Sequence, residues 1–151
     1  MNFLKYEGLG NDFIIIDCRE LNIPIINKNS EHLIKQMCDR HFGIGSDGII
    51  TIMRSESDCF VKMGIFNSDG SEAEMCGNGI RCLIKFLYDN KEIQIDQIIR
   101  IETLAGEIIA NVNKNNLVNV NMGRPTFKPS EIPTTLTVGS YGIPEAKINL
   151  D

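Results

Sequence analysis

No apolar run in the 151 residues approaches the roughly 20 needed to cross a bilayer, so a membrane span is not expected. The N-terminus, Met1 to Glu7, lacks a basic stretch followed by an apolar one, and neither end carries a lipidation signal. Lys and Arg number 15 against 20 Asp and Glu, for a net charge of -5 and a pI near 5.1. No cationic surplus is available to neutralise phosphates, which argues against nucleic-acid binding. The five cysteines are an odd number, scattered at Cys18, Cys38, Cys59, Cys76 and Cys82, with no C-x-x-C among them. A disulfide framework is therefore not expected, and a reducing cytoplasm is. His32 and His41 are not spaced with cysteines as zinc ligands would be, so no metal is expected. No internal repeat is visible. Hydrophobic residues at 42% and charged residues at 23% instead describe one ordinary globular domain of 16.9 kDa.

The pattern along the chain is mixed. Asn2 to Tyr6 alternates weakly, Gly8-Leu9-Gly10-Asn11 reads as a turn, and Phe13-Ile14-Ile15-Ile16 as its second strand, with glycines supplying positive φ. After a connection containing proline and asparagine, Ser30 or Asn29 can cap a helix running to about Asp39, with Leu33, Ile34, Met37 and Cys38 at helical spacing. Ile49 to Met53 and Cys59 to Phe66 read as strands, the latter ending at the turn Asn67-Ser68-Asp69-Gly70. From Asn78 to about Tyr88 a second helix is apolar around most of its circumference, with Arg81, Lys85 and Asp89 on one narrow stripe. Such a helix is buried on several sides, so sheet must wrap it. A meander of three strands follows: Ile98 to Glu102, Glu107 to Val112 and Leu117 to Met122. The expected class is α/β (α+β), a mixed sheet curled around a central buried helix. Residues 1–124 form the domain; residues 125–151, with Pro125, Pro129, Pro133 and Pro144, read as a tail leading toward a second domain.

The chemistry concentrates between Asn67 and Cys82. Cys76 falls just before the buried helix, where unpaired N–H groups and the positive dipole end stabilise negative charge. A thiolate is favoured there. The amides around Gly77-Asn78-Gly79 can hold a carboxylate, with glycines allowing close approach. A base beside a carboxylate cradle suits removal of a proton α to that carboxylate. Cys82, six residues on, points away by roughly 240° and should face the core. Cys18, Cys38 and Cys59 lie in apolar patterns. Asp12, Asp69, Glu72 and Glu74 need no catalytic explanation in turns and near a helix start, nor does His41. The Gly43-Ile44-Gly45 loop lacks the spacing and the lysine of a phosphate loop.

Gly8-Leu9-Gly10-Asn11-Asp12-Phe13, Arg40 to Gly48, Phe66 to Glu72 running into Cys76-Gly77-Asn78-Gly79-Ile80-Arg81-Cys82, Thr103 to Gly106, and Met122 to Pro125 stand in an order that resembles the N-terminal half of the diaminopimelate epimerases. The resemblance runs from about Phe3 to Pro133. It implies a cofactor-independent reaction in which two cysteines flank the α-carbon of LL- or meso-diaminopimelate, one taking a proton and the other giving one. Cys76 matches the first of these cysteines, Gly77 and Asn78 the grip on the α-carboxylate, and Asn11 and Asn67 two further substrate contacts. In many members a glutamine stands at the position of Gly48; glycine cannot supply that contact. The second cysteine belongs to a second domain that these residues do not match, so the chain is expected to be a half-enzyme completed by that domain or by a partner chain. A homodimer is implied for the full-length family member. The alternatives are a non-catalytic carboxylate-binding module and half of a racemase or isomerase for another substrate.

Overall fold

The computed structural model describes residues 2–21, 26–132, 134–139 and 141–146. Pro24, Pro133 and the closing Asn149 to Asp151 lie outside them. The chain divides into two compact units, Met1–Asn121 and Met122–Asp151.

The first unit opens with a hairpin, β1 (Leu4–Gly8) and β2 (Asn11–Asp17), joined by Leu9 and Gly10 with φ of 58° and 81°. Two consecutive positive φ angles match the right-handed twist of the strands they join. A leucine in this conformation costs about 1–2 kcal/mol. The expectation assigned the positive φ angles to glycines alone.

Helix α1 (Glu31–Cys38) crosses over to β3 (Gly48–Met53), which pairs parallel to β2. Ser30 is at the cap position, but its hydroxyl accepts from the Asn27 amide and does not cap the helix. Leu33 is exposed, while Ile34, Met37 and Cys38 are buried.

The next strand, β4 (Val61–Asn67), is antiparallel to β3 and starts two residues after Cys59. A two-residue strand, β5 (Glu72–Ala73), folds back on β4 before α2 (Gly77–Asp89). The meander is β6 (Ile99–Thr103), β7 (Gly106–Val112) and β8 (Val118–Asn121), with β6 parallel to β4.

The sheet runs β1-β2-β3-β4-β6-β7-β8 and has two cores. On one face, Ile80, Cys82, Leu83, Ile84, Phe86 and Leu87 of α2 meet Phe13, Ile15, Ile50, Ile52, Met63 and Ile65. On the other, Ile34, Met37 and Cys38 of α1 meet Ile14, Ile16, Ile49 and Phe66. Both ends of the sheet, β1 and β8, contact α2, so the sheet curls around that helix. The central strands are buried on both faces and therefore read as near-continuous apolar runs.

Among its described residues the second unit holds a 3-10 turn, Pro129–Glu131, and an isolated bridge between Val138 and Pro144. Among the described residues no helix is long and apolar enough to cross a membrane.

Candidate active site

Cys76 is the N-cap of α2, with extended backbone (φ -145°, ψ 120°), and its carbonyl accepts the first helical bond from the Ile80 amide at 2.9 Å. Its thiol makes no capping bond. The side chain is half-buried, packed on one side against the core around α2. Gly77, Asn78 and Gly79 follow in the first turn, where an α-helix offers amides without intrahelical acceptors and a partial positive charge. No acidic side chain stands in that turn to neutralise it. An external anion is the natural complement.

Gly79 has a different task from the one expected of it. It is buried, and a Cβ there would stand 2.9 Å from Met63 Cε and 3.1 Å from Ile65 Cδ1. Its missing side chain lets the helix start lie against the sheet; it does not open the way for an anion.

The hairpin brings Asn11 to the same place. A Cβ at Gly8 would be 3.4 Å from the Asn78 carbonyl oxygen and 3.5 Å from Cys82 Sγ, and Asn11 is the register partner of Gly8. Asn67 ends β4 opposite Gly48, which in turn is opposite Phe13, two residues after Asn11. The two asparagines thus share one end of the sheet, two strands across and two residues along, about 12 Å apart.

Gly48 itself is buried, and a Cβ there would fall 2.5 Å from the Phe66 carbonyl oxygen. That oxygen is backbone held in the sheet, so this position excludes any side chain without a shift of β4.

Sequence reasoning missed the clasp that ties these segments together. The Asp12 carboxylate receives Arg40 at 2.7 Å and Lys5 at 2.8 Å, and Arg40 also reaches Asp47 at 2.7 Å. Lys5 further donates to the Gly45 carbonyl at 2.6 Å. Asp47 bonds in three directions: its amide to the Asp12 carbonyl at 2.9 Å, its carboxylate to the Asp12 amide at 3.1 Å, and its carbonyl to the Ser68 amide at 3.1 Å. One residue therefore links the segments bearing Asn11, Gly48 and Asn67. The Arg40 hydrogen bond, assisted by Lys5, holds the Asp12 carboxyl well below the usual carboxylate range despite its partial burial. The partners are 28 and 35 residues away in sequence, which is why spacing could not reveal them.

The remaining candidates are placed elsewhere. Cys82 is buried beneath the hairpin; burial, then the neighbouring Cys76 and Glu7, pushes its thiol up to about 11. It is a protonated core residue at neutral pH. Cys18 and Cys38 are buried on the α1 face, and Cys59 precedes the far end of β4. None of the five cysteines is in a disulfide. His41 is exposed, its backbone amide bonded to Asp39. Among the described residues no group of three or more His, Cys, Asp or Glu could hold a metal ion.

A mixed sheet wound round a helix is an architecture shared with solved structures. A phenazine biosynthesis protein of the PhzF family from Bacillus anthracis superposes with a TM-score of 0.58 at 20% identity, over 78% of this chain and 38% of that one. A hydroxyproline epimerase from Agrobacterium vitis gives 0.57 at 13% identity, over 78% and 40%. These likenesses define the fold. The sequence narrows the class: the diaminopimelate epimerase family model matches residues 3–128. The diaminopimelate epimerase of Prochlorococcus marinus (strain NATL1A) is 53% identical over 150 residues, covering 99% of this chain and 53% of the relative. That of Carboxydothermus hydrogenoformans is 49% identical over 144 residues, covering 95% and 52%. The chain belongs to the diaminopimelate epimerase family, and it spans about half the length of the curated relatives it matches.

Proposed function

We propose that this chain supplies one face of a diaminopimelate epimerase active site, in which LL- and meso-diaminopimelate are interconverted by proton transfer at the α-carbon. The observation that carries the reading is Cys76 at the N-cap of α2, its thiol uncommitted to capping, beside a first helical turn without an acidic side chain. In this reading the amides of Gly77 and Asn78 receive the α-carboxylate, and the dipole end stabilises the negative charge that spreads onto it as the α-proton leaves. The Cys76 thiolate takes that proton, or the thiol returns it in the reverse direction. Asn11 and Asn67 contact the rest of the substrate. The chemistry needs no cofactor, and its setting is a reducing cytoplasm as part of amino-acid biosynthesis.

Inversion requires a second acid on the opposite face of the α-carbon. Cys18, Cys38 and Cys82 are buried, and Cys59 precedes the end of β4 opposite to Asn67. No other cysteine of the same chain is placed to be that group, so in this reading it comes from a second domain, a partner chain or a second copy.

The test is incubation of the 151-residue chain with LL-diaminopimelate in D2O, followed by NMR, alone and with a separately produced C-terminal half of a relative. Cys76-dependent deuteration and meso product only in the mixture supports the half-site. Product from the chain alone, lost in Cys76→Ala, would place the second acid within it or its oligomer. If the mixture is inert while wild type and Cys76→Ala bind the substrate equally, the carboxylate-binding module is the better reading.

A further inference from the structure

Asn67 is exposed, yet its amide is not free to turn. Its Nδ2 donates to Ser71 Oγ at 2.9 Å, and Ser71 Oγ donates in turn to Asp69 Oδ1 at 2.6 Å. The Ser71 backbone amide reaches the same carboxylate oxygen at 2.9 Å. A hydroxyl has one proton, and an ionised carboxylate can only accept. Ser71 has therefore spent its proton on Asp69 and can only accept from Asn67. Turning the Asn67 amide over would set its carbonyl oxygen against the lone pairs of Ser71. The order of donors follows from this count of protons, whichever way the amide is drawn.

The turn that carries the three residues is itself held. The Asn67 amide donates to the Ser71 carbonyl at 2.8 Å, and the Gly70 amide to the Asn67 carbonyl at 2.9 Å. Gly70, with φ of 86°, is pressed against α1, where a Cβ would stand 2.5 Å from Glu31 Cγ and 2.8 Å from its Cα. Ser68 is fixed to the Asp47 carbonyl. With Nδ2 turned into the turn, Oδ1 faces the other way and makes no hydrogen bond among the described residues.

We propose that Ser71 and Asp69 are positioning residues that lock the Asn67 amide with its carbonyl oxygen outward, so that this corner of the site takes an ammonium group of the substrate and not a carboxylate. The site then has two poles: amide donors at the start of α2 for an anion, and an acceptor at the end of β4 for a cation. The inference rests on the reading of Asn67 as a substrate contact, but the amide lock is testable without turnover.

The experiment is NMR on the ¹⁵N-labelled chain. In wild type an Asn67 side-chain amide proton shows a cross-relaxation peak to the Ser71 β-protons, and the two amide protons are widely separated in shift. Ser71→Ala collapses that separation, while Ser71→Thr, which keeps the hydroxyl, retains it. Titration then compares L-lysine, which ends in an ammonium, with L-2-aminopimelate, which ends in a carboxylate. Wild type shifts the Asn67 signals at a concentration of lysine lower by about threefold or more, and Ser71→Ala erases the preference. An Asn67 amide unaffected by Ser71→Ala, with other backbone signals unchanged, overturns the lock. A preference for aminopimelate in wild type overturns the assigned polarity. Failure of Cys76-dependent exchange with the lock intact would instead strike the proposed reaction.

Discussion

At the scale of single residues, two glycines of the site separate by what an added methyl would meet. At Gly48 the obstacle is the Phe66 carbonyl at 2.5 Å, a backbone atom committed to the sheet. At Gly79 it is the ends of Met63, Ile65 and Ile50, at 2.9, 3.1 and 3.4 Å, which can yield by small rotations. Gly79 also lies inside a helix, where alanine gains about 0.8–1 kcal/mol over glycine. Gly48→Ala is therefore expected to destabilise by about 1–3 kcal/mol, and Gly79→Ala to stay within about 1 kcal/mol of wild type. Urea unfolding of both variants checks this; equal losses would contradict it. The legibility of the site divides along the same line. Cys76 at a helix start could be read from the periodicity that follows it, because 3.6-residue spacing announces where a helix begins. That Gly79 serves packing and not anion access could not, because Met63 and Ile65 meet it only after the sheet folds back. The Asp69-Ser71-Asn67 relay is local, and Asn67 and Asp69 lay within the run read as a turn, yet only the folded turn brings the three side chains within hydrogen-bonding distance.

At the scale of elements, the clasp of Lys5, Asp12, Arg40 and Asp47 joins the hairpin to the connection between α1 and β3, and through Ser68 to the turn after β4. Asp12 is depressed by Arg40 and Lys5 in the folded state. A depressed carboxyl stabilises the fold above its unfolded pKa, near 3.9, and that contribution disappears as pH falls through the folded value. Stability should decline from about pH 5 downward, and Asp12→Asn should flatten that decline while changing little in slope above pH 6. Glu102, lowered to about 2 by the Ser55 hydroxyl and then Lys62, acts in the same direction and leaves some slope in the variant. Urea midpoints between pH 2 and 7 measure it. An unaltered acid slope in Asp12→Asn would show that the clasp does not couple to folding. Pairings such as β2 with β3 and β4 with β6 are parallel and bridged by helices, so no local pattern fixes their register.

At the scale of the molecule, every described residue of the two cores lies at or before Val120. No described residue of the unit Met122–Asp151 is among them. A chain ending after Asn121 should therefore keep cooperative unfolding and the amide signals of α2. Loss of cooperativity on that truncation, followed by circular dichroism and NMR, would refute the assignment of the fold to the first unit. At this scale too, four of the five thiols are directed into cores or lie at the other end of the sheet, leaving Cys76 alone at the start of α2.

The amino-acid sequence by itself determined the two helices, the longer strands, the all-round apolar helix at the centre and the family, because side-chain period and ordered motifs are local properties of the chain; the two-residue β5 carries no such period. Only the tertiary structure decided which residues hold the site together. Asp12, Asp47, Gly8 and Gly48 owe their tasks to partners from other elements and loops. Such contacts exist only once the sheet has curled and brought distant backbone within a few ångströms.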